Sequence, residues 1–102
     1  RGVDLEAFVR DVERARAPGD EIVFCGTLGN GVRFLLGVNR PSVPPDRVPI
    51  KGSRGGRLWV VAAEDGAAEL AVARPGRFVE RARMPWGRDG RRELVLLEAA
   101  PP

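Results

Sequence analysis

The chain has 102 residues, with 17 basic and 14 acidic side chains, a formal charge of +3, and 43% hydrophobic and 30% charged residues. That balance belongs to a globular domain with one core; it excludes a disordered segment, and the length leaves no room for a second domain. The single cysteine, Cys25, excludes an intrachain disulfide and a structural zinc site, while the lack of His and Tyr removes the usual general base near neutral pH and most transition-metal ligands.

Every basic residue except Lys51 is arginine, and the chain is rich in Ala, Gly and Pro. Such a bias reads as codon usage of a GC-rich genome, so the high arginine content, with a net charge of only +3, makes a weak case for a nucleic-acid partner. No apolar run reaches the roughly 18 residues of a membrane span, and the first residues lack the apolar stretch of a signal peptide. Starting on Arg1 rather than Met, residues 1–102 read as one domain excised from a longer protein.

Residues 4–16, DLEAFVRDVERAR, place Leu5, Phe8, Val9 and Val12 at helical spacing, with charges around the remaining surface. Asp4 suits the N-cap, Arg14 and Arg16 complement the other end, and Pro18-Gly19 stops the helix. Glu21 to Cys25 then reads as a strand buried on both faces, because Ile22, Val23, Phe24 and Cys25 are consecutive apolar residues. Cys25 is a small core filler in this reading.

The next segment has two readings. Gly29-Asn30 suits a hairpin turn, with Val32, Phe34, Leu36 and Val38 alternating on a returning strand. Alternatively, Asn30 caps a short helix over 31–36 that Gly37 ends. Residues 39–56 hold four prolines and three glycines and read mostly as loop, with a short edge strand at Arg47 to Ile50. Arg57 to Ala63 reads as a second fully buried strand containing Trp59, broken by Glu64-Asp65-Gly66.

Ala67 to Ala73 favours helix, with Leu70, Ala67 and Val72 inward, and Pro75-Gly76 turns the chain. Residues 77–84 alternate Phe78, Glu80, Ala82 and Met84 against Val79, Arg81 and Arg83. Together with 91–99 they predict a terminal antiparallel hairpin, its turn at Asp89-Gly90.

Candidate chemistry is sparse. Glu64 and Asp65 follow a predicted central strand, where open α/β sheets bind ligands, although a solvated turn is the better account of them. Gly26, Gly29 and Gly31 match neither the dinucleotide fingerprint nor the P-loop; if 31–36 is helical, the amides near Asn30 offer an anion site. Arg81, Arg83 and Arg88, with Trp86 beside them, make a basic patch suited to anionic lipid headgroups or a phosphorylated ligand, while Glu80, Asp89 and Glu93 balance it as a merely solvated hairpin. The residues point to no catalytic group, no cofactor and no metal.

The order of features, with a helix leading through Ala17-Pro18-Gly19-Asp20 into Ile22–Cys25, then an irregular polar region, RLWVV at Arg57 to Val61, and a hairpin closing from Leu94 to Pro101, resembles a known family. It is similar to the soluble C-terminal domain of bacterial membrane glycosyltransferases of the protein mannosyltransferase-like superfamily, which use polyprenyl-phosphate sugars. In that family an aromatic-rich segment often follows the first strand, where this chain has GTLGNGVRF. The family's catalytic carboxylates lie outside any segment matched here.

The resemblance implies an α/β fold, a small Rossmann-like sheet with parallel central strands, a C-terminal antiparallel hairpin and a helix at 31–36. The residues alone equally allow an α+β domain with one helix on an antiparallel meander. By the same resemblance the domain is a non-catalytic accessory on the extracytoplasmic face of the cytoplasmic membrane, partnered by the membrane portion of its own polypeptide, which it stabilises, or by the glycosyl acceptor. An independent module binding an anionic ligand or a protein through the Arg-rich hairpin is the alternative.

Overall fold

The computed structural model describes residues 10, 14, 19–26, 42–52, 55–86 and 92–100. Arg10 and Arg14 are helical; the rest of the predicted first helix, the 31–36 segment with Asn30, and the turn containing Arg88 and Asp89-Gly90 lie outside the described residues.

The sheet grows from two apolar runs. Strand β1 (Glu21–Cys25) and strand β3 (Leu58–Ala63) lie side by side in parallel, with Ile22 opposite Trp59 and Phe24 opposite Val61. All six residues of β3 and the last four of β1 are buried, which is why neither run alternates: a strand covered on both faces needs apolar side chains at every position.

Strand β2 (Ser42–Val43) pairs in parallel with the outer side of β1, and strand β4 (Phe78–Trp86) and strand β5 (Arg92–Ala99) form the antiparallel hairpin. The order is β2-β1-β3-β5-β4, with β5 inserted antiparallel between β3 and β4. The result is a mixed five-stranded sheet with helix α1 (Glu64–Ala73) packed on it, an α+β arrangement. The parallel pairing of β1 with both neighbours replaces the three-hairpin meander.

The two faces have separate cores. One holds Ile22, Phe24, Trp59, Val61, Ala63, Leu94 and Leu96; the other holds Val23, Cys25, Leu58, Val60, Ala62, Val95 and Leu97 beneath Val48 and Leu70. Burying each of the larger side chains contributes about 1.5–3 kcal/mol.

Three local expectations are corrected. The segment at Arg47 to Ile50 is not a strand: Pro44 and Pro45 start a 3-10 turn over Pro45–Arg47, which points Val48 into the core beside Leu70, while two-residue β2 does the pairing. Glu64-Asp65-Gly66 ends β3 as expected but also forms the first turn of α1, so the helix begins three residues before Ala67; Gly66 is buried there, close to the Cys25 carbonyl and Ala62. Val72 is 82% exposed instead of inward, because Gly66 and Leu70, four residues apart, define the buried stripe and place Val72 opposite.

Strand β4 carries a further departure from simple alternation. Its register slips between Glu80 and Ala82, so Arg81 is an extra residue in a β-bulge. Phe78 therefore packs with the helix-side core, whereas Ala82 and Met84 pack with the opposite one.

Candidate functional site

At the C-terminal ends of β1 and β3, Glu64 and Asp65 occupy the first turn of α1 and are exposed. The Asp65 carboxylate accepts a hydrogen bond from the Gly66 amide at 2.9 Å. Carboxylates at this place stabilise the positive end of the helix dipole, which serves the fold whether or not a ligand binds. Cys25 sits below them, 1% exposed, and burial, aided by the nearby charge of Glu69, pushes its thiol up to about 11. The thiol thus stays protonated at neutral pH. Among the described residues no three Cys, Asp or Glu side chains gather as a metal centre would require.

On the hairpin, the bulge sorts the arginines into two ion-pair groups. Arg81 donates from Nε to Glu98 at 2.8 Å, and Arg57 approaches the other oxygen of the same carboxylate at 3.4 Å. Arg83 holds Glu80 through two hydrogen bonds of 2.7 and 2.9 Å and reaches Glu93 with its remaining nitrogen. These bonds keep the Glu80 carboxyl below its ordinary range and raise the Arg83 guanidinium further. Without the extra residue, Glu80 and Arg83 would fall on opposite faces of the strand. Exposed pairs of this kind contribute about 0–1 kcal/mol each, so their main effect is to neutralise the basic charge locally. Trp86 ends β4 opposite Arg92 in the ladder.

The opposite end of the parallel strands is more elaborate than the sequence suggested. Asp20, which follows Gly19, accepts hydrogen bonds from the Arg57 amide at 2.8 Å and from Trp59 Nε1 at 3.2 Å. The Arg57 guanidinium lies 5.9 Å from the centre of the Trp59 ring. Gly56 comes so close that a Cβ there would stand 2.4 Å from the Gly19 carbonyl oxygen.

Beside it opens a cavity of about 730 Å³ lined by Pro49, Ile50, Lys51, Gly52, Gly55 and Arg74. Arg74 caps the C-terminus of α1, its amide bonded to the Leu70 carbonyl, and its Nη2 donates to the Asp46 carbonyl at 3.0 Å. The Nε of Arg74 is buried without an acceptor among the described residues. Lys51 and Arg74 are absent from the residues singled out in the sequence. The available signal was weak: Lys51 is the single lysine of an arginine-biased chain, set in the glycine-rich KGSRGG, but Arg74 is 23 positions away and only the fold joins them.

The described sequence candidates thus divide between one end and one edge of the sheet. Glu64 and Asp65 meet at one end, and Arg81 and Arg83 stand on the outer strand within separate ion-pair groups. Among the described residues no helix is long and apolar enough to cross a membrane. Comparison of the chain with protein-family models, with curated proteins and with solved structures gives no match to any of them.

Proposed function

We propose that this chain is a non-catalytic support domain, a small Rossmann-like body appended to a bacterial membrane glycosyltransferase and standing on the extracytoplasmic side of the membrane. The observation that carries the reading is the parallel pairing of β1 with β3, followed by a terminal antiparallel hairpin, the order of elements that the family resemblance implies. The distribution of charge supports it. Asp20, Glu80 and Glu98 spend hydrogen bonds on holding strands and turns in register, and Asp65 on the start of α1, instead of converging on a shared cleft.

The test uses the full reading frame that contains residues 1–102. Membranes carrying that polypeptide with and without the domain are assayed for sugar transfer from a polyprenyl phosphate and for thermal inactivation. The expected outcome is transfer that persists without the domain, at a lower enzyme level and with a shorter half-life on heating. A reading frame devoid of membrane-spanning helices, or turnover of the sugar donor by residues 1–102 alone, overturns the proposal.

A further inference from the structure

We infer that the cavity between α1 and the loop preceding β3 is a binding site for a phosphate monoester, with Lys51 and Arg74 as its cationic ligands. This inference stands apart from the support-domain reading and does not depend on it.

The argument begins with where positive charge is left unopposed. On the hairpin, Arg81 and Arg83 each face a carboxylate within 3 Å. In the cavity the pattern is reversed. Lys51 is exposed and makes no hydrogen bond or ion pair with any described residue, and Arg74 uses one donor on a backbone carbonyl while its buried Nε has none. No acidic side chain lines the cavity among the described residues. Acidic residues stand around it: Asp20 and Glu98 in the adjoining groove bond to Arg57, Trp59 and Arg81, Glu21 lies against Gly52, and Asp46 meets Arg74 through its backbone carbonyl.

Arg74 lines the cavity with only its Nη2 engaged, on the Asp46 carbonyl, and an oxyanion held there would pair with its charge and with that of Lys51. Gly52 and Gly55 line the same space, and their amides donate to no described acceptor. Peptide amides beside two cationic side chains are the elements from which phosphate cradles are built. The remaining wall, Pro49 and the 39% exposed Ile50, is apolar. The ligand therefore combines a phosphate group, directed at Lys51 and Arg74, with an organic body lying along Pro49 and Ile50, and the volume suits a small molecule. Such a group occurs on soluble metabolites and on lipid headgroups alike.

The probes are phenyl phosphate, and vesicles of phosphatidylcholine with and without phosphatidic acid, at constant ionic strength. Binding is read from the amide resonances of Gly52 and Gly55 and from vesicle sedimentation. Lys51→Glu is expected to weaken binding about tenfold or more, as loss of a charge-assisted contact does, and Lys51→Arg to preserve it. Arg74→Gln should weaken it as well; because Arg74 also ties α1 to Asp46, Lys51→Glu is the variant that leaves the fold undisturbed. Arg81→Ser combined with Arg83→Ser should leave binding unchanged. Binding of phenyl phosphate assigns the site to a free ligand, and Lys51-dependent binding of phosphatidic acid vesicles alone assigns it to a headgroup. Indifference to Lys51→Glu, loss of binding in the hairpin double variant, or no response to either probe overturns the inference.

Discussion

Two glycines show how differently the same residue is used within this small body. Gly56 is required by close approach, since any side chain would drive into the Gly19 carbonyl and Asp20. Gly66→Ala places its methyl 3.4 Å from the Cys25 carbonyl oxygen and 3.6 Å from Ala62 Cβ, which are ordinary contacts. Gly56→Ala is therefore expected to lower the urea midpoint by the equivalent of about 2 kcal/mol, as overpacking does. Gly66→Ala should raise it by about 0.5–1 kcal/mol, because alanine restricts the unfolded chain and favours helix. Equal effects of the two substitutions would contradict the packing described.

Cys25 supplies a residue-scale prediction in pH. Its thiol ionises near 9.0 when free and near 11 in the fold, through burial first and the Glu69 charge second. Between those values the unfolded chain binds fewer protons than the folded one, so stability is complete below the lower value and declines as pH rises through the higher. The slope contributed is at most about 1.4 kcal/mol per pH unit. Urea unfolding of Cys25→Ala across this alkaline window should lack that contribution, and an unchanged slope would refute the assignment.

At the scale of elements, the bulge in β4 determines which core each part of the strand joins. Deleting Arg81 would restore strict alternation and turn Phe78 to the wrong face, at a cost of about 2 kcal/mol or more from its lost burial. Arg81→Ala, which keeps the extra backbone unit and loses only a half-exposed ion pair, should cost no more than about 1 kcal/mol. Thermal unfolding of the two variants checks this, and similar midpoints would show that the bulge does not set the register. The bulge also explains a limit of sequence reading. Phe78, Glu80, Ala82 and Met84 alternate without interruption on paper, because one inserted residue changes the face while leaving the pattern of residue types plausible. By contrast β1 and β3 are legible, since a run of apolar residues such as Leu58–Ala63 has few other uses. The start of α1 is hidden for a different reason: Ala63 serves as N-cap with no side-chain cap, and Glu64-Asp65-Gly66 has the composition of a turn.

At the scale of the whole molecule, the sheet joins residues that sequence proximity does not. Strand β5 separates β3 from β4 although it follows both in the chain, and no periodicity encodes that insertion. The cavity of Lys51 and Arg74 has the same origin, since it forms only when the end of α1 returns to the loop before β3. A chain ending at residue 90 should accordingly show no cooperative unfolding transition, because β4 would lose its neighbour and β3 the apolar cover of Val95 and Leu97. A sharp transition near that of the intact chain would disprove this dependence.

The place of β5 also constrains how the protein is made. A ribosome delivers β1 through β4 before the strand that must lie between two of them, so the growing polypeptide cannot close its sheet stepwise. Until β5 has cleared the exit tunnel, the facing edges of β3 and β4 stand open, and a nascent chain stalled at that point is where holding chaperones would find their substrate.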